Sequence, residues 1–235
     1  MSESDKHAWL RGSVLEPLEP GPLPIIPKAM WEEIKEWLLA WKHAEALREA
    51  GLKAPGALLL HGPTGTGKTS LARAILSYMG GRPGCIMESF NVLTAAFGGT
   101  GQNVAQGFYL AEQYDALLVV EEIDALGISR DDTRGSCGTE EDKITIALMR
   151  HIEEATVPVI ATTNYKDKLD AALIRRFEIS LEVPALGPKG RAKILAAILQ
   201  REPSDELVAL PLTESINLAH RVRRLEFLAA LEGRS

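Results

Sequence analysis

Two short stretches of this sequence carry side chains whose types and spacing do chemistry. The first, GPTGTGKTS, comprises Gly62, Pro63, Thr64, Gly65, Thr66, Gly67, Lys68, Thr69 and Ser70. Within it, Gly62, Gly67, Lys68 and Thr69 match the G-x-x-x-x-G-K-[ST] arrangement of a phosphate cradle. Glycines let the backbone turn so that N–H groups point inward at phosphate oxygens, and a helix beginning there adds its positive end. Lys68 would reach the β and γ phosphates, and the Thr69 hydroxyl would ligate Mg²⁺. The second stretch, LLVVEEIDAL, covers residues 117 to 126 and runs from apolar residues into Glu121, Glu122 and Asp124. Acids are costly at the end of a buried strand unless something pairs with them. A nucleotide site with Mg²⁺ needs an acidic contact at the end of a strand neighbouring the cradle. The acids are therefore expected to face the metal and the γ-phosphate. Adjacent strand residues point to opposite sides, so Glu121 and Glu122 are expected to have different tasks, with the alternation relaxing where the strand ends.

The elements that position these residues are legible as an alternation. The runs ALLLH (57–61), CIMES (85–89), ALLVV (116–120), PVIAT (158–162) and ISLEV (179–183) read as strands. Segments near 68–78, 103–113, 141–154 and 170–176 read as helices between them. Such alternation argues for an α/β fold, a parallel sheet covered by helices on both faces. Residues 11 to 29 carry five prolines and two glycines and read as an extended arm. A helix fits residues 30 to 50, with Ile34, Leu38, Trp41 and Ala44 on one stripe. Trp9, Trp31, Trp37 and Trp41 all fall in the first 41 residues, where they cover the edge of the core or form a docking patch. Residues 188–200 and 213–231 read as helices appended after the last strand. The expected organisation is a proline-rich arm over residues 1–29, a nucleotide-binding α/β core over 30–183 and a short helical lid over 184–235.

Bulk properties bound the function classes. A chain of 235 residues, 46% hydrophobic and 25% charged, has the composition of a globular protein with a real core. A formal net charge of −6 argues against binding nucleic acid through bulk positive charge. Cys85 and Cys137 match no metal or redox spacing and read as free thiols of a reducing compartment. The first residues, MSESDKHAWL, lack the apolar core of a signal peptide, and no run approaches 18 apolar residues. The expectation is a soluble cytoplasmic protein with no membrane span.

With the cradle between a strand and a helix, the frame is a P-loop nucleoside triphosphatase. Three blocks then resemble the AAA family of the AAA+ ATPases: GALLLHGPTGTGKTSLARAIL its Walker A block, LLVVEEIDALGISR its Walker B block, and VIATTNYKDKLDAALIRRFEISLEV its second region of homology. The match runs over roughly residues 30 to 200 in the family's order. The resemblance implies a three-layer αβα sandwich with a five-stranded parallel sheet, a helical lid, ATP and Mg²⁺ as cofactors, and assembly into a homo-oligomeric, usually hexameric, ring. It also implies that Glu121 supports Mg²⁺, that Glu122 polarises the attacking water, and that Asn164 is sensor 1. Arg175 and Arg176 fall on the arginine fingers, which reach into a neighbouring subunit's site.

Four departures mark this chain. Glu121 replaces the family's usual aspartate and pushes the carboxylate outward by one methylene. In LTAAFGGTGQN, aligning Gly98, Thr100 and Asn103 with the family's pore loop puts Ala96 at the aromatic position, with Phe97 beside it. The two arginines lie side by side, without the Pro-Gly spacer of many members. The end of the lid, INLAHRVRRLEFLAALEG, matches poorly, and Arg221, Arg223 or Arg224 read either as a second sensor or as a solvated basic helix face. Residues 127–141 read as a polar loop, at the surface or lining a pore.

The chain is expected to be close to a bare motor module, and three functional readings stand. The leading one is a ring ATPase that remodels or unfolds a protein partner. The second is a nucleotide-switched assembly factor that recruits or gates a separate effector. The third is a nucleic-acid-associated ATPase of the helicase-loader or transposition-regulator type, supported only by the basic C-terminal helix.

Overall fold

A computed structural model describes residues 8–11, 13–94, 100–127 and 138–232. It divides into two compact units, one of residues 1–63 and 67–183, the other of residues 64–66 and 184–235.

The larger unit is built on a six-stranded sheet. Its strands are β1 (Leu15–Pro17), β2 (Ala57–His61), β3 (Gly84–Glu88), β4 (Leu117–Glu121), β5 (Val159–Thr163) and β6 (Phe177–Glu182), in the spatial order β1-β3-β4-β5-β2-β6. Five strands are parallel; β1 pairs antiparallel with β3 at the edge, Glu16 opposite Ile86. The five parallel strands expected from the apolar runs are all present. The sixth comes from the proline-rich arm, which supplies only Leu-Glu-Pro to the sheet. An edge strand tolerates the proline because its missing N–H falls where no partner is needed.

The central strands are buried on both faces, as parallel strands under helices must be. Their side chains alternate between two cores. Leu58, Leu60, Val119 and Ile160 join one cluster with Leu71 and Ile75; Leu59, Leu118, Val120 and Ala161 join the other with Phe108 and Leu148. The first face is covered by α1 (Lys28–Lys42) and α3 (Lys68–Ser77), and the second by α5 (Thr100–Gln113) and α6 (Gly138–Glu154). Short helices α2 (Ala44–Glu49) and α4 (Ser89–Thr94) complete this part. The expected helix over 30–50 is thus two helices, with the break at His43. Trp37 and Trp41 are buried in the first core, and the Trp37 indole N–H donates to Gly56 O at 2.7 Å. For these two tryptophans the core reading holds; the side chain of Trp9 lies outside what is described.

After a one-turn helix α7 (Ala171–Ile174), capped by the Asp170 carboxylate, β6 closes the sheet. The second unit holds α8 (Pro188–Leu199), α9 (Asp205–Ala209) and α10 (Leu212–Glu232). Its small core is Leu195, Leu199 and Ala219, flanked by Ile198, Leu207, Ile216 and Val222. No helix among the described residues is long and apolar enough to cross a membrane.

Candidate nucleotide site

The site lies at the carboxyl ends of β2, β4 and β5. β2 delivers the chain into the cradle at Gly62, whose φ is +138°; a Cβ there would meet Val183 O at 2.5 Å. Glycine is therefore required both by conformation and by space. The turn continues through Gly65 and Gly67, at φ +77° and +90°, and Gly67 caps α3 in the left-handed conformation. Lys68 and Thr69 thus occupy the first turn of a ten-residue helix, where free N–H groups favour an anion.

Lys68 is nearly buried, and its ammonium donates three hydrogen bonds: to Gly62 O at 2.8 Å, Pro63 O at 2.9 Å and Asn164 Oδ1 at 2.7 Å. Burial lowers its pKa, and the charges of Asp124, Glu122 and Glu121 pull it back up. The cation is held across the mouth of the cradle, tied to the residue that follows β5. The Thr69 hydroxyl donates to the Glu121 carboxylate. Hydroxyl and carboxylate oxygens are the ligands a hard cation such as Mg²⁺ takes, so this pair fits the ion. Among the described residues, no three His, Cys, Asp or Glu side chains cluster to hold a metal.

The two acids part at the end of the strand. Glu121 is the last residue of β4, half-buried, with its backbone carbonyl accepting from Ser89 Oγ at 2.6 Å. Glu122 turns into the left-handed region, at φ 51° and ψ 47°, and is exposed. A non-glycine residue there costs of order 1–3 kcal/mol and persists only where its surroundings hold it. Here the Glu122 N–H donates to Thr162 Oγ1 at 3.3 Å. The third acid is engaged by the strand beside it. The Asp124 carboxylate accepts from the buried Thr163 hydroxyl at 2.5 Å, and that hydroxyl accepts from the Tyr165 N–H at 2.9 Å. Asp124 thereby fixes the turn that carries Asn164.

Three features here have no signal in local spacing. One is this Asp124–Thr163 lock. Another is Glu88, which β3–β4 register sets beside Glu121; burial and the charges of Glu16, Glu121 and Glu122 raise its pKa. The last is Lys166, whose ammonium contacts His61 Nε2 at 3.2 Å and donates to Ser180 Oγ at 2.9 Å, joining the turn after Asn164 to the strand that enters the cradle.

Arg175 and Arg176 are not at this site. They end α7 just before β6, and β6 runs parallel to β2 with Phe177 beside Ala57. They sit at the amino end of the strand whose carboxyl end enters the cradle, about 13 Å away along β2. Arg176 Nη1 pairs with Glu153 Oε1 at 3.1 Å.

Residues 58–185, more than half of the chain, match the model of the ATPase family associated with various cellular activities. The chain belongs to that family. The chain is also 35% identical over 159 residues to proteasome-activating nucleotidase 2 of Halobacterium salinarum, covering 64% of this chain and 38% of the relative. It is 35% identical over 174 residues to the 26S proteasome regulatory subunit 8 homolog of Schizosaccharomyces pombe, covering 70% and 43%. It is 32% identical over 186 residues to a probable inactive ATP-dependent zinc metalloprotease, FTSHI 2, of Arabidopsis thaliana chloroplasts, covering 74% and 20%. The chain thus spans less than half the length of these relatives. The matched segment of this AAA family member includes Gly62 to Ser70, Glu121, Glu122 and Asn164. Ala96, Phe97 and Gly98 of the pore-loop alignment lie outside the described residues, as do positions 128–137. Asn103, buried, donates to Val92 O at 3.0 Å and joins the helices on either side of the pore-loop segment. In the second unit Arg223 donates to Gln200 Oε1 at 2.6 Å and pairs with Glu226.

Proposed function

We propose that this protein is an ATP-hydrolysing AAA+ ring ATPase that remodels or unfolds a protein partner. The observation that carries the proposal is the convergence of Lys68, Thr69, Glu121 and Asn164 at the ends of three adjacent strands, linked by direct hydrogen bonds. ATP with Mg²⁺ is the ligand this arrangement suits, and the ion, when bound, supplies neutralisation of phosphate charge. Lys68 binds and orients the phosphates, Thr69 and Glu121 hold the ion, and Asn164 orients the γ-phosphate or the attacking water. Glu122, exposed beside them, takes up the water's proton. Phosphoryl transfer depends mainly on such positioning and charge stabilisation.

Arg175 and Arg176 complete the site of a neighbouring copy rather than their own. Their distance from the cradle, at the far end of β2, supports this, because an arginine that cannot reach its own nucleotide makes turnover depend on assembly. A homo-oligomeric ring, hexameric as is usual in the family, follows. The curated relatives named for the proteasome support a protein as the substrate. The lid is assigned to residues 184–235, and the cytoplasm is the proposed compartment.

A second reading is favoured by one observation: Glu121 stands where the family usually has aspartate, and its longer side chain closes on Thr69. That reading is a nucleotide-switched assembly factor with little turnover. Adding an unstructured protein such as casein to the purified ATPase separates the two. The remodelling reading predicts faster ATP turnover with the added chain; ATP-dependent assembly with negligible turnover, stimulated or not, establishes the switch.

A further inference from the structure

Helix α6 touches both ends of the molecule's chemistry. At its middle, the buried Thr145 hydroxyl donates to Leu126 O at 3.2 Å, pinning the helix to the segment that follows Glu121 and Glu122. In its last turn, two adjacent carboxylates have different partners. Glu154 pairs with Arg150 of its own helix at 3.0 Å, whereas Glu153 crosses to Arg176 at 3.1 Å. Arg175, exposed beside it, has no ion pair among the described residues. The two arginines, alike in sequence, are therefore unlike in structure. Both line a cleft of about 240 Å³ with Lys53, Gly56 and Glu153, where three cations face a single acid.

We propose that Glu153 is a positioning residue that divides the two arginines: it holds Arg176 on its own subunit and leaves Arg175 to reach the neighbour's nucleotide. The division rests on the proposed action in trans and narrows it from the pair to Arg175 alone. An ion pair this exposed contributes little to stability, so its consequence is where the guanidinium points.

The test measures kcat and KM for ATP in the assembled full-length protein. Arg175→Ala is expected to lower kcat at least about 100-fold with KM nearly unchanged, the behaviour of a group that acts in the transition state. Arg176→Ala and Glu153→Gln are each expected to lower kcat by less than about tenfold, and the double variant no further, because both remove one contact. Exchanging the charges, Glu153→Arg with Arg176→Glu, restores kcat, and the single variants keep the wild-type urea midpoint; a merely structural role predicts kcat losses that track lost stability. An Arg176→Ala loss equal to that of Arg175→Ala, or losses that multiply in the double variant, overturns the division. Mixing Arg175→Ala with Lys68→Ala subunits tests the underlying reading separately. Recovered turnover shows action in trans whatever Glu153 does, and no recovery overturns both.

Discussion

The Lys68 ammonium lies 2.7 Å from Asn164 Oδ1, so the cradle and the end of β5 are joined by a hydrogen bond across 96 residues of chain. This contact sets two polar groups against the space a terminal phosphate would fill. Removing the lysine should remove nucleotide affinity rather than slow a later step. A lost charge-assisted contact costs about 3 kcal/mol, roughly 100-fold in Kd. Lys68→Ala is expected to weaken binding of a fluorescent ATP analogue by at least that factor, with the fold retained by circular dichroism.

Asp124 holds the turn that carries Asn164 through the Thr163 hydroxyl, and its charge also supports the Lys68 ammonium. Thr163→Val should lower kcat by about tenfold while leaving ATP affinity nearly unchanged, Asp124→Ala should lower kcat at least as far, and the double variant should lose no more kcat than the worse single one. Additive losses in steady-state kinetics would show that the carboxylate has a task apart from this hydroxyl.

His61 gives a pH dependence of known sign. Burial lowers its pKa first and the Lys166 charge next, with Lys68 adding to them; Glu182 and Asp167 oppose. In the unfolded chain the ring protonates at about pH 6.5. Between the lowered folded value and that point the unfolded state binds more protons, so stability rises with pH through this window and levels off above it. Urea unfolding near pH 5.5 and pH 7.5 should show a larger gain for the wild type than for His61→Gln. Equal gains would mean that the ring is not held neutral by its surroundings.

Among the described residues Trp37 is the largest fully buried side chain, and it is also a hydrogen-bond donor. Trp37→Phe keeps an aromatic ring but leaves Gly56 O without its partner, an expected loss of about 1 kcal/mol. Trp37→Ala also opens a cavity and should cost about 3–5 kcal/mol. Denaturant midpoints check the order and the gap between them.

The strands around the site were legible because each is a short apolar run that needs burial on both faces. β6 was placed two residues late: Phe177–Glu178 alternates like an exposed edge and follows a helix without a break in polarity. β1 was missed because a three-residue strand in a proline-rich arm is defined only by its partner, β3. The cradle, Glu121, Glu122 and Asn164 could be named from motif order. The lock between Asp124 and Thr163, and the pairing of Glu153 with Arg176, could not. They join residues 39 and 23 positions apart, on elements whose register no local pattern encodes.

The central claim is that this chain hydrolyses ATP as an assembly in which Glu121 and Glu122 divide the work. Its most direct test is ATP turnover against protein concentration, with mass read by light scattering in the same samples, for wild type and Glu122→Gln. Specific activity is expected to rise as a ring of defined mass forms, and Glu122→Gln to assemble and hold ATP with turnover reduced at least about 100-fold. Turnover independent of assembly, or a Glu122→Gln protein that hydrolyses ATP at the wild-type rate, would contradict it.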